Sequence, residues 1–162
     1  MPEPGETIHI ILSGLWRTWD LVPVCLGLAK CVADEVILTT LGYDRKTIDG
    51  VLSLLDSGAV RRFDFVTSAM FDAQNKSLAD EFRTEMANRG QRVIGIRNHT
   101  KIMLLGLADG RRFVIESSGN LRSCHSMEQS AITCDAGLYA FHSQWIGECF
   151  TATDRHKNRI IR

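Results

Sequence analysis

The chain has 162 residues, 44% of them hydrophobic and 23% charged, and its nineteen Lys and Arg balance nineteen Asp and Glu. That length suits one compact domain with a sizeable core, and the ordinary apolar share excludes wholesale disorder and a fibrous repeat. With a formal net charge of zero there is no global field to draw the chain onto nucleic acid or an anionic membrane, so any phosphate recognition must be local.

Residues 8–12 are a short apolar run closed by Ser13-Gly14, which predicts a buried strand leading into a helix-starting loop. From 18 to 30, Leu21, Val24, Cys25, Leu28 and Ala29 recur at helical spacing, with Asp20 and Pro23 in the first turns where acid and proline are tolerated. Residues 35–40 (EVILTT) predict a second strand and 44–55 a second helix, with Ile48, Val51, Leu52 and Leu55 on one face. Ser57-Gly58 reads as a helix stop, 59–66 as a third strand, and 71–88 as a third helix ending at Gly90. This alternation predicts an α/β fold in which helices flank a mixed, largely parallel sheet.

The second half changes character. Residues 92–96, 99–107 and 112–117 are strand-like runs in close succession, the last two joined by the turn-forming Ala108-Asp109-Gly110. A further strand is expected at 130–133 and a last helix from 136 to about 149, so that one domain spans 1–150 and a basic tail 151–162. No internal repeat or low-complexity segment occurs.

The five cysteines are odd in number and none is spaced C-x-x-C, which argues against a disulfide framework and a zinc ribbon and for reduced thiols in a cytoplasmic protein. The amino terminus carries Glu3 and Glu6 where an export signal needs positive charge. The most apolar segment, 21–32, is too short to span a membrane and is interrupted by Pro23 and Lys30.

Chemistry concentrates after residue 98. Strand alternation from His99 would put His99 and Lys101 on one face, continued inward by Met103 and Leu105. Beyond the hairpin, Val114-Ile115-Glu116 runs into Ser117-Ser118-Gly119-Asn120, and Met127-Glu128-Gln129 follows. These segments can meet at one edge of a sheet. Phosphoryl transfer without a metal needs a nucleophile, positive charge and donors for the phosphoryl oxygens, and an acid for the leaving group. An imidazole, a lysine with an amide, and a second imidazole oriented by a carboxylate can fill those roles.

His-Thr-Lys, then IESSGNL, then MEQ resemble the His-x-Lys, Ser-x-Asn and downstream Glu pattern of the phospholipase D superfamily, over roughly 99–132. The resemblance implies a phospholipase D-like β-α-β-α sandwich and a phosphohistidine mechanism with no cofactor or metal. Carried over, His99 is the nucleophile, Lys101 and Asn120 hold the phosphate, Ser118 supports them and Glu128 orients the partner's histidine. One motif per chain implies a symmetric homodimer with a shared site. The expected activity is that of a phosphodiesterase acting on nucleic acid, a nuclease, with no membrane partner. A silent module that binds nucleic acid or protein is the alternative, favoured by Gly106, which stands where the full motif has an aspartate; Asp109 lies nearby in the presumed turn. The span from His99 to Ser118 is also longer than usual.

Other candidates are weaker. His9 reads as a half-buried strand residue, and His125 and His142 lack a suitably spaced lysine. Cys124, His125 and Cys134 match no common metal-ligand spacing. Trp16, Trp19 and Trp145 do not interleave with basic residues and read as packing or interface aromatics. Arg111, Arg112 and the tail from Arg155 to Arg162 are the candidates for contacts to a phosphodiester backbone.

Overall fold

Seven strands, Thr7–Leu12 (β1), Ala33–Thr39 (β2), Phe63–Ser68 (β3), Arg92–Ile96 (β4), Ile102–Leu107 (β5), Arg112–Ser117 (β6) and Glu128–Cys134 (β7), join in one sheet ordered β1-β7-β6-β5-β2-β3-β4. The helices are Leu21–Ala29 (α1), Arg45–Asp56 (α2), Ala69–Gln74 (α3), Lys76–Asn88 (α4) and Ala136–Ile160 (α5). This computed structural model describes residues 1–14, 16–122 and 125–160, with side chains through residue 154.

The expected α/β class holds, but the sheet is mostly antiparallel. Only β2–β3 and β3–β4 pair in parallel, and the other four pairings are antiparallel. The cause lies in the connections. Parallel neighbours need a long crossover, which α2 and then α3 with α4 supply, whereas among the described residues no helix separates β4, β5, β6 and β7. The first strand also crosses to the far edge, where it pairs with β7 instead of β2.

β4 and β5 lie three strand spacings apart in the sheet order. The linker 97–101 must therefore cross about 14 Å, well within the roughly 20 Å that the six steps from Ile96 to Ile102 can span. It passes over the ends of β3 and β2, at the end of the sheet where the parallel strands finish, with slack for a turn.

One face of the sheet packs against α1, α2 and α4 through Val36, Leu38, Phe65, Met103, Leu105 and their neighbours. The other packs against α5 through Ile37, Val66, Ile102, Leu104, Val114, Tyr139, Ile146 and Phe150. β5 is thus buried on both faces along its whole length, which is why IMLLGL is uniformly apolar. The expected single helix over 71–88 divides at Asn75, whose φ of −124° and ψ of 46° leave the helical region and whose side-chain amide donates to Phe71 O. The last helix continues past Cys149 to Ile160. No Gly or Pro stops it there, and Phe150 is buried beneath the Arg92 guanidinium, 4.3 Å from its ring centre.

Gly106 lies on the α5 face, opposite Glu35 in the neighbouring strand. A Cβ there would sit 2.7 Å from the Tyr139 hydroxyl and 3.1 Å from Glu35 Cγ. The hydroxyl itself donates to Glu35 Oε1 at 2.7 Å, and burial and Glu35 together hold the Tyr139 pKa far above its ordinary value. The position cannot hold the motif aspartate. Gly106→Asp should therefore destabilise the fold by about 2 kcal/mol or more, through overpacking and a second carboxylate beside Glu35. Urea denaturation would check this, and an unchanged midpoint would contradict it.

Candidate active site

The expected alternation from His99 is not what positions the pair, because β5 begins only at Ile102. Asn98 decides this. Its buried side chain accepts from Thr100 N at 3.0 Å and from Thr100 Oγ1 at 2.7 Å, and donates to Thr40 O at 3.0 Å. Such an Asx turn competes with ladder pairing and ends it. Thr39 Oγ1, whose hydroxyl donates to Thr100 Oγ1 at 2.8 Å, accepts from Ile102 N at 3.0 Å, fixing both ends of the turn. Held this way, His99 is exposed and Lys101 half-buried, and the Lys101 ammonium donates to His99 Nδ1 at 3.1 Å and to His99 O at 2.8 Å.

Asn98→Ala should leave Thr40 O and the Thr100 amide without their side-chain partner, at a cost of about 1–3 kcal/mol. Its activity loss should exceed what the lost stability explains, because the turn that presents His99 goes with it. Denaturation and kinetics on the same preparation would separate the two effects.

The second group lies directly alongside. Ser117 N donates to Lys101 O at 3.0 Å, which joins the end of β6 to the start of β5. Ser118 Oγ donates to Glu128 Oε2 and accepts from Gln129 N at 3.0 Å, so the Ser118 side chain and the first residue of β7 are fixed to each other. Gly119 brings the chain close to both. A Cβ at this glycine would meet Thr18 Oγ1 at 2.3 Å and Glu128 Cγ at 3.0 Å, so no larger residue fits. Asn120 follows, with its Oδ1 buried and without a hydrogen-bond partner. The next residue is tied to the core, since Thr47 Oγ1 donates to Leu121 O at 2.9 Å and Leu121 N donates to Thr40 Oγ1 at 3.4 Å.

His99, Lys101, Ser118, Asn120 and Glu128 thus gather at one end of the sheet. Burial lowers the Lys101 pKa below its ordinary value, opposed by the field of Glu128. The ammonium is then lost at a lower pH than on an exposed lysine. Any activity that needs this charge should decline on the alkaline side before the usual lysine range, and Lys101→Arg should carry that limb upward. A pH profile with identical alkaline limbs in the two proteins would contradict this.

The residues that build this turn, Asn98, Thr39, Thr40 and Thr47, were not singled out by sequence reasoning. The one available signal was the run of small polar residues ending β2, at a strand end where ligand sites form. Arg111 and Arg112 lie at the wrong end for a role here. Arg112 pairs with Gly106 at the far end of β5, and Arg111 is held by Asp109 at 2.8 Å and by Ala29 O at 2.9 Å. The side chains of the tail from Arg155 lie outside the described residues, as does Cys124. His9 is exposed on the edge strand, not half-buried. His142 is buried on α5, where Trp145 Nε1 donates to its Nδ1 at 3.0 Å. Trp19 is buried against Gly50, whereas Trp16 is exposed.

Neither a family model nor a curated protein matches this sequence. Solved structures do. The phospholipase D family member Nuc from Salmonella typhimurium superposes with a TM-score of 0.62 at 11% identity, covering 90% of this chain and 95% of Nuc. The chain has the phospholipase D fold. Polyphosphate kinase from Porphyromonas gingivalis matches with a TM-score of 0.57 and 17% identity over 84% of this chain, and a mutant of yeast tyrosyl-DNA phosphodiesterase with 0.52 and 15% over 78%. The chain spans only 22% of that kinase and 32% of that phosphodiesterase. In this phospholipase D fold, no helix among the described residues is long and apolar enough to cross a membrane.

Proposed function

We propose that this protein is a phosphodiesterase acting on nucleic acid through a phosphohistidine, at a site completed by a second copy of the chain. The support is the convergence of His99, Lys101, Ser118 and Glu128 at one sheet end, beside Asn120, whose side-chain Nδ2 is the amide donor available to a phosphoryl oxygen. In the first step the His99 imidazole attacks phosphorus, the P–N bond forms as the P–O bond to the leaving group breaks, and an acid protonates that oxygen. Water then attacks phosphorus, the P–N bond breaks, and the free imidazole returns. Lys101 and Asn120 hold the non-bridging oxygens, with Ser118 and Gly119 fixing the strand end that carries them. The protein's own groups cover every role but one, since each chain has a single such histidine to serve as nucleophile or acid.

The hydrogen bonds within one chain favour a dimer on a second ground. An ammonium only donates, so Lys101 makes His99 Nδ1 an acceptor and leaves the proton of a neutral ring on Nε2. Attack through Nε2 requires the opposite tautomer, with a carboxylate accepting from Nδ1. Glu128 of the partner subunit would supply it, while an arriving phosphate draws Lys101 away. Ile11, at 65% exposure and paired with Gln129, and Met127, at 79% and next to Glu128 in the chain, are exposed apolar side chains near the end of the edge strand β1. Across a two-fold axis these side chains would meet their own copies.

Hydrolysis of bis(p-nitrophenyl) phosphate and of DNA in excess EDTA tests the reading. Turnover that EDTA leaves intact is the expected result. Absence of turnover would favour the second reading, a binding module without catalysis, for which the Lys101 hold on His99 Nδ1 is the specific support.

A further inference from the structure

A cavity of about 500 Å³ opens beside His99, on the side away from Ser118 and Glu128. Its walls come from the chain just after β2, β3 and β4: Leu41, Ala69 and Met70 are apolar, and Arg97 and His99 provide the polar rim. The volume is in the range of small-ligand sites and is ample for a nucleoside-sized group. Met70 is 59% exposed, a large thioether side chain left at the mouth with nothing folded over it.

Arg97 is exposed on the cavity rim. The guanidiniums of Arg17, Arg45, Arg61, Arg62, Arg83, Arg89, Arg92 and Arg111 are ion-paired and that of Arg112 donates to backbone carbonyls, whereas Arg97, like the exposed Arg122, has no hydrogen bond or ion pair among the described residues. An unpaired cation on the rim of an apolar recess suits a ligand that is flat and apolar at one end and anionic at the other. A phosphate cannot occupy the apolar recess itself without losing its hydration. A base can, packing on the methionine sulfur and stacking with the guanidinium.

We propose that this cavity is a nucleobase subsite, and that the substrate is single-stranded nucleic acid with a base next to the reacting phosphate lodged against Met70 and Leu41. The assignment rests on His99 marking the reacting phosphate, as proposed above. A paired base is held inside the duplex stack and reaches such a recess only by being extruded, so an unpaired strand binds at lower cost.

The test uses the full chain with His99→Ala, so that cleavage does not enter, and fluorescence anisotropy of a short labelled oligodeoxyribonucleotide. The control probe is an abasic strand of equal length and charge. The base-bearing strand should bind about tenfold more tightly than the abasic one. Met70→Ala with Leu41→Ala should remove most of that difference without changing the abasic affinity, whereas Arg97→Gln should weaken both probes. Circular dichroism confirms that each variant is folded. Equal binding of the two probes, no binding of either, or displacement by dihexanoyl phosphatidylcholine in preference to the base-bearing strand would each overturn the proposal. Base-selective binding without hydrolysis would sink the catalytic reading and keep the subsite, and hydrolysis without base selectivity would do the reverse.

Discussion

His99→Ala should lower EDTA-resistant phosphodiester hydrolysis by at least about a thousandfold, because it removes the atom to which phosphorus becomes bonded and, in the second copy, the acid for the leaving group. Folding should hardly change. His99 is exposed, and the one side-chain hydrogen bond it makes among the described residues is to Lys101 through Nδ1, so stability should move by no more than about 0.5 kcal/mol. The loss is therefore chemical, and a urea midpoint measured beside the rate would show it. Lys101→Ala is the informative companion. It removes one charge-assisted partner of the phosphoryl oxygens and frees His99 Nδ1, and it should cost about a hundredfold, mostly in kcat. A His99→Ala protein that keeps activity within tenfold of wild type would exclude the phosphohistidine route.

Much of the architecture was legible because local pattern and tertiary outcome agree. β4 and β6 match their expected bounds, and Asp44, the residue that opened the expected second helix, accepts from Thr47 N as its N-cap. Strand direction was not legible. The β-α-β opening suggested parallel neighbours, yet β1 pairs at the opposite edge with a strand about 120 residues further along, a long-range choice that no local spacing encodes. The motif residues were readable as types, and the structure brings His99 to Lys101 and Ser118 to Glu128. What holds them was not. The bond from Asn98 to Thr40 O joins residues 58 apart, and that from Thr47 to Leu121 O joins residues 74 apart. In the sequence such residues look like ordinary turn and cap formers. The reading of Gly106 also needed coordinates. As a motif position it signals a missing aspartate, whereas in the fold it is the space into which Tyr139 places its hydroxyl to reach Glu35.

Mixing wild-type chains with His99→Ala chains should suppress activity as the square of the wild-type fraction. If one site forms across the two-fold axis and needs a histidine from each copy, only wild-type pairs are competent. At one wild-type chain in ten, activity should be about 1% of that given by the same total of wild-type protein, whereas independent sites would give about 10%. The mixture must exchange subunits first, by dilution and reconcentration, and light scattering should report a dimer before and after. A second substitution separates association from chemistry. Met127→Asp places a charge on an exposed apolar residue next to Glu128 in the chain, and it should yield a monomer in which His99 and Lys101 are intact and turnover is lost. A strictly linear mixing curve, or a monomeric Met127→Asp protein with full activity, would show that one chain contains the whole site. The nucleophile would then have to work against the Lys101 hydrogen bond at Nδ1, with its acid drawn from water or from a residue of its own chain.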